Sequence, residues 1–343
     1  MQCPAPEPIH AMTRAENTPF ASSSVTVGSR HTLLDYVFLT RPVLMPPVWT
    51  IALLGAHSAQ STLAPIPAWR WILLFVQLWC LFGAVYTLNQ IFDVESDRTN
   101  RKLFFLPQRL ISLNAAWGFT IGLNVLGMTL AVFLGAFYSL LSVAILILGV
   151  LYSAGNKPWK NRPLAGFLAN VVAHGVVVFA MGRIFAGGTL AVLWIPALPY
   201  GLAVGGVYLA TAAADVFGDR QTGKTTLAVR WGVRTTMLVA LALVTAALVA
   251  AILGSDWYLA IPAIASLPFF VLAAAAGLWR APASFRALGE PQTAAKVSVA
   301  ALTLAAVIAY PLYLAVLVPG FLATRAFFHW RFKMTYPSLT PGD

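Results

Sequence analysis

Long, nearly uncharged apolar runs limit this chain more than any other feature. "WILLFVQLWCLFGAVYTL" (71–88), "SLLSVAILILGVLYS" (139–153), "TTMLVALALVTAALVAAIL" (235–253) and "YLAIPAIASLPFFVLAAAAGLW" (258–279) each approach the roughly 20 residues that an α-helix needs to cross a bilayer. Ala, Leu, Val and Gly follow one another in them without alternation, which favours helices over the strands of a barrel. Composition agrees: the chain is 59% hydrophobic and only 10% charged, against roughly 25% charged in a soluble domain. Mean hydropathy is +0.78. The sequence therefore reads as an all-α polytopic membrane protein.

About nine transmembrane helices are expected, near 40–57, 70–92, 112–133, 136–153, 165–186, 189–213, 233–253, 257–279 and 298–320. Residues 1–30, rich in Pro and Ser and without an apolar signal-peptide core, read as a disordered leader. Residues 31–321 read as the transmembrane domain and 322–343 as a C-terminal tail. The two cysteines, Cys3 and Cys80, are too few and too far apart for a disulfide framework or a metal site.

The formal net charge of +11 is unevenly spread. Arg98, Arg101, Lys102 and Arg109 follow the second expected span, Lys157, Lys160 and Arg162 the fourth, and Arg220, Lys224, Arg230 and Arg234 the sixth. Arg280, Arg286 and Lys296 lie between the last two, whereas alternate loops such as "LGSDWY" are almost free of base. That pattern obeys the positive-inside rule and puts the basic loops in the cytoplasm. It is not a nucleic-acid footprint, so no nucleic acid is expected as a partner. Nine spans would leave Arg325, Arg331 and Lys333 on the opposite side, in conflict with the same rule.

Acid is scarce. Of 11 carboxylates, Asp93, Glu95 and Asp97 fall in "NQIFDVESDRTNRK", and Asp215 and Asp219 in "ADVFGDRQTGK". Both stretches end an apolar span on the basic side, where a carboxylate is expensive and a functional role is the default. Asn89, Asp93 and Asp97 share one helical face, about 6 Å from one to the next, with Glu95 on another side. Thr211, Asp215 and Asp219 repeat the spacing. Like charges one turn apart repel unless a cation lies between them. Hard divalent ions such as Mg²⁺ take carboxylate oxygens together with substrate phosphates. Two facing carboxylate pairs, each holding Mg²⁺ with a diphosphate between them and Lys or Arg around it, explain the pattern most economically.

"GDRQTGKTT" (218–226) also matches the nucleotide-binding pattern G-x4-G-K-[ST]. Such a loop must follow a strand and open a helix, and here a membrane helix precedes it while Asp219 sits inside the supposed cradle. A carboxylate there would repel phosphate, so no nucleotide is expected.

On these residues the chain resembles the UbiA superfamily of intramembrane prenyltransferases. The N-x3-D-x3-D motif is matched by Asn89, Asp93 and Asp97, and the later D-x3-D motif by Asp215 and Asp219. "GDRQTGKTTLAVRWG" and "YSAGNKPWKNRP" are similar to two further family stretches. The resemblance spans roughly 35–320 and implies about nine helices around a central cavity that opens to lipid. It implies Mg²⁺-assisted departure of diphosphate from an isoprenyl diphosphate and alkylation of a lipophilic acceptor. Asp93, Asp97, Asp215 and Asp219 would be the catalytic metal ligands, with Asn89 assisting. Lys160 and Lys224, then Lys102, Arg162 and Arg220, would contact diphosphate, with Tyr152 and Ser153 beside it. Gln90 stands where many members have Asp, and "RKLFFLP" (101–107) lacks their Arg-Pro pair. That departure points away from small hydroxybenzoates and toward a bulkier aromatic or polyene acceptor. Asn170 and His174 share a face of the fifth span, where His174 reads first as hydrogen-bonded structure and second as a base. The rival readings are a cyclase of the same superfamily, which needs no acceptor, and a cation-coupled transporter.

Overall fold

The structure, a computed structural model, describes residues 32–59, 65–99, 105–189, 194–221, 223–279, 289–335 and 340–341. The leader and Lys102 lie outside these residues. Within them, ten helical segments are long and apolar enough to cross a membrane. The first joins α1 (Leu33–Leu39) to α2 (Met45–His57). Then come α3 (Ala68–Thr99), α4 (Leu113–Leu134) and α5 (Ala136–Ser153). The fifth runs from α6 (Pro163–Asn170) through a π-helical stretch, Val171–Val177, into α7 (Val178–Phe185). After α8 (Trp194–Ala214) a short α9 (Val216–Gln221) precedes α10 (Leu227–Leu253), α11 (Trp257–Trp279) and α12 (Gly289–Ala309). The last is α13 (Leu314–Phe332). The turn between α4 and α5 expected near Leu134 is there, at Gly135 with φ 120°.

Lipid replaces water as the outer solvent, so the bundle needs no polar shell along its spans. Ile72, Val132, Phe133, Leu140, Leu253, Ile261 and Ile308 point outward. The inner surfaces are small and tightly apposed, as expected where the hydrophobic effect no longer drives helices together. Where α2 crosses α7, a Cβ on Gly55 would overlap the Phe179 carbonyl, and one on Gly182 the Ala52 carbonyl. Neighbours in sequence pack side by side, α3 on α4, α10 on α11 and α11 on α12. Contacts of α2 and α8 with α12 close the bundle. The first and sixth spans are 61% buried and the tenth only 17%, so the motif-bearing α8 belongs to the inner layer and α13 to the rim.

The C-terminal region differs from expectation. The stretch 298–320 is not one span: α12 ends at Ala309, and Pro311 starts a new turn leading into α13. Proline disfavours helical geometry in the residue before it, and Tyr310 accordingly leaves the helix at φ −137°, ψ 81°. The second helix so released occupies Leu314–Phe332, in a region the sequence suggested was partly tail. Its end returns to α1, where Arg331 grips Asp35 with Nε on Oδ1 at 3.0 Å and Nη2 on Oδ2 at 3.1 Å. Phe38 stacks on Phe327 with centroids 3.7 Å apart. Among the described residues the candidate spans number ten, and the Arg331–Asp35 pair sets the end of α13 beside the start of α1, so the conflict of charge that an odd count would create does not arise.

Candidate active site

Helix α3 carries a stripe of side chains that becomes more polar toward its C-terminal end: Phe82, Tyr86, Asn89, Asp93, Asp97. Steps of three and four residues keep them on one face. Asp93 Oδ1 accepts from Lys160 Nζ at 2.7 Å, and both side chains are nearly enclosed, 13% and 10% exposed. Lys160 reaches it from a tight turn, Trp159–Asn161, held ahead of α6 by the rigid Pro158 and Pro163. Asn89 Nδ2 donates to Ser153 Oγ, a long bond of 3.4 Å. Asp97 is buried. Glu95 faces away, as its position predicts, and pairs with exposed Arg98 at 2.7 Å.

The second motif ends α8. Asp215 is exposed at the joint between α8 and α9, where the helical bond continues from Asp215 N to Thr211 O at 3.1 Å. Thr211 turns its hydroxyl back to Val207 O, unlike Asn89 in the first motif. Asp219 anchors the following loop: Lys224 N donates to its carbonyl at 2.9 Å and Thr226 Oγ1 to its Oδ2 at 3.2 Å. Gly223, at φ 69°, makes that reversal possible. Thr225 Oγ1 fastens the same loop to Asn161 O at 2.6 Å, next to Lys160. The stretch that imitates a phosphate loop is thus a strap between the two motifs, preceded by the 21-residue α8 and not by a strand.

Tyr152, at the end of α5, marks where the motifs meet. It lies within electrostatic reach of Asp93 from the first and Asp219 from the second, and in polar contact with Asn170 and Tyr208. Ser153 is buried beside it. Lys224 is half-buried, while Arg162 and Arg220 are exposed on the flanking loops.

The structure adds Arg41, which the sequence reading overlooked. It separates α1 from α2, in left-handed geometry at φ 55°, ψ 64°, just ahead of Pro42. Its charge acts on Asp97 and Asp93, and its Nε is buried without a hydrogen-bond partner. A signal existed: an arginine inside an apolar span is a functional candidate by default. Tyr86 and Tyr208 were overlooked as well. The pattern Gly-x-Val-Tyr-x6-Asp-Val-x2-Asp occurs at 83–97 and again at 205–219, so each tyrosine stands two turns before its aspartates.

A helical membrane bundle with aspartates of both motifs within electrostatic reach of Tyr152, and Lys160 paired to one of them, is that of an intramembrane prenyltransferase. The UbiA prenyltransferase family profile matches residues 43–288, and the chain belongs to that family. Its sequence is similar to a digeranylgeranylglyceryl phosphate synthase of Methanoregula boonei, 31% identical over 243 residues, covering 69% of this chain and 83% of that protein. It is also similar to the 2-acyl-4-prenylphloroglucinol 6-prenyltransferase of Humulus lupulus, 28% identical over 255 residues, 68% of this chain and 60% of that longer one. Its fold matches a UbiA homolog of Archaeoglobus fulgidus solved with GPP and Mg²⁺, with TM-score 0.60, 17% identity and coverage of 79% of this chain and 99% of that one.

Proposed function

We propose that the protein moves an isoprenyl group from an isoprenyl diphosphate to a lipophilic acceptor, aromatic or polyene in character, using Mg²⁺ held by Asp93, Asp97, Asp215 and Asp219. The carrying observation is the convergence of both motifs on Tyr152, with Lys160 seated on Asp93. Among the described residues no three His, Cys, Asp or Glu form a closed metal cage. Mg²⁺ does not need one, because it keeps waters and takes one or two carboxylates plus substrate phosphates. Four carboxylates and the Asn89 amide oxygen are the hard donors such an ion prefers. When bound, it would stabilise charge developing on the leaving diphosphate.

The chain's own residues account for the rest of the reading. Lys160 and Arg41 supply positive charge at the first motif, Lys224 at the second, and Arg162 and Arg220 at the rim. The strap from Asp219 through Thr226 fixes Lys224 relative to Lys160. Tyr152 and Ser153 stand beside the diphosphate, and the isoprenyl tail lies along the apolar upper part of α3 and α8. By the positive-inside rule this edge faces the cytoplasm, and membrane lipids supply the surroundings for tail and acceptor. The names of the two relatives, one a glyceryl phosphate synthase and one a phloroglucinol prenyltransferase, support a lipophilic acceptor.

Diphosphate release by the purified protein in detergent, with geranyl, farnesyl or geranylgeranyl diphosphate and a membrane-lipid extract, tests this. Release should require Mg²⁺ and fall by about 10³-fold in Asp93→Ala and in Asp215→Ala. Full release in either variant would remove the aspartates from the site. A hydrocarbon product formed without any acceptor would turn the enzyme into a cyclase.

A further inference from the structure

We propose that Tyr86 and His174 form the proton relay that accepts the acceptor's proton as it is alkylated, an inference that rests on the transferase reading. Tyr86 lies seven residues before Asp93 on the same face of α3, which places it about 10 Å deeper into the membrane at 1.5 Å per residue. In an in-line displacement the diphosphate leaves on one side of the isoprenyl C1 and the acceptor approaches from the other. Groups at the aspartates face the leaving side; Tyr86 is placed for the attacking side.

His174 is its partner. Tyr86 Oη and His174 Nε2 are 3.2 Å apart, and the Phe82 ring, one turn deeper, lies 5.2 Å from the imidazole. His174 sits in the middle of the π-helical stretch Val171–Val177. Such wide turns are rare and are found mostly at functional sites. Here the turn is locked from behind, since a Cβ on Gly175 would come within 2.7 Å of Gly201 Cα on α8. His174 Nδ1 is buried and has no hydrogen-bond partner. The relay uses the tautomer with its hydrogen on Nδ1, in which the Nε2 lone pair is directed at the Tyr86 hydroxyl.

The step balances without a further reagent. The acceptor, an alcohol or phenol, gives an oxygen lone pair to C1, and the C1–O bond to diphosphate breaks with its electron pair going to diphosphate. The acceptor's O–H proton passes to Tyr86 Oη while the Tyr86 proton passes to His174 Nε2. The products are a prenyl ether, free diphosphate and an imidazolium that later gives its proton to solvent.

The test compares wild type, His174→Gln and Tyr86→Phe in lipid-supplemented detergent with geranylgeranyl diphosphate and Mg²⁺. A phenol substituted at its ortho and para carbons, so that only an ether can form, and a geranylgeranylated glyceryl phosphate are offered separately as acceptors. Gln accepts a hydrogen bond from Tyr86 yet cannot take up a proton. Both variants should keep the donor KM within about threefold and still release diphosphate, while the ratio of prenylated acceptor to prenyl alcohol falls at least tenfold, within the range of general-base effects. An unchanged ratio in His174→Gln, with the protein folded, overturns the relay and leaves the hydrogen bond structural. Should His174→Gln not fold, Tyr86→Phe must show the shift by itself, and an unchanged ratio there overturns the relay equally. Wild type that releases diphosphate but alkylates neither acceptor overturns the hydroxyl-acceptor class and the relay with it. Wild type that releases none defeats the transferase reading instead.

Discussion

Arg41 is the residue whose placement says most about charge in the site. It is an arginine in strained left-handed geometry inside a membrane span, next to two carboxylates and with an unmatched Nε. Such strain persists only where the surroundings enforce it. Replacing it with Gln should lower kcat/KM for the isoprenyl diphosphate by about 10²–10³-fold, the loss seen when one preorganised donor to developing charge is removed. The spectrum of products should stay the same, in contrast with Tyr86→Phe. Steady-state kinetics with product analysis checks both, and wild-type kinetics would take Arg41 out of the site. The four aspartates could be proposed from the sequence because acid is so scarce that spacing alone singles them out. Arg41 was not, because one more cation among 22 Lys and Arg reads as ordinary inside charge. Its value appears only when the break ahead of Pro42 turns it toward α3. Lys160 could be picked from the loop, yet its ion pair with Asp93 spans 67 positions and no local pattern encodes it.

At the scale of the helix, the crossing of α2 with α7 depends on two glycines that admit each other's backbone. Gly182→Ala should destabilise the protein by about 1–3 kcal/mol, because the opposing atoms are carbonyls and cannot rotate away. Gly118, mid-helix in α4 with nothing within 4 Å, is the control: alanine there should be neutral or stabilise by about 0.5–1 kcal/mol. Thermal unfolding in detergent separates the two, and equal midpoints would show that the crossing is looser than it looks. The apolar runs announced most helices well, since length and composition alone require them. Where one helix ends was harder to read. Pro199, Pro262, Pro268 and Pro319 all sit inside helices, whereas Pro311 divides two. In a membrane neighbouring groups can satisfy the carbonyls a proline frees, so the residue alone does not decide between a kink and a break. The π-helical turn was equally hidden, as its Val-rich sequence is that of any span.

For the molecule as a whole, the decisive contact joins its two ends. Asp35 is fully buried and Arg331 nearly so, in a two-pronged ion pair that also receives Thr32 N at 2.8 Å. Removing one partner strands a buried charge, so Arg331→Met should cost about 3–5 kcal/mol. Adding Asp35→Asn should restore much of that loss, as an uncharged pair leaves no ion without a partner. Unfolding midpoints of the two single variants and the double one measure the coupling, and strictly additive losses would mean that the pair contributes little. The same cluster takes in Phe105, Leu106 and Val94, so this junction borders the end of α3 that bears the aspartates.

That junction also bears on how the protein could be rebuilt. Because Asp35 and Arg331 touch, a short linker could join the two ends of the bundle without crossing it. New ends could be opened at the Gly254–Asp256 turn, which lies at the far end of α10 from the strap. A chain so permuted would keep every helix and every contact around Tyr152, while its termini would emerge on the opposite face of the membrane from the chemistry. Handles for capture or fluorescence placed there would stay clear of the aspartate-bearing edge.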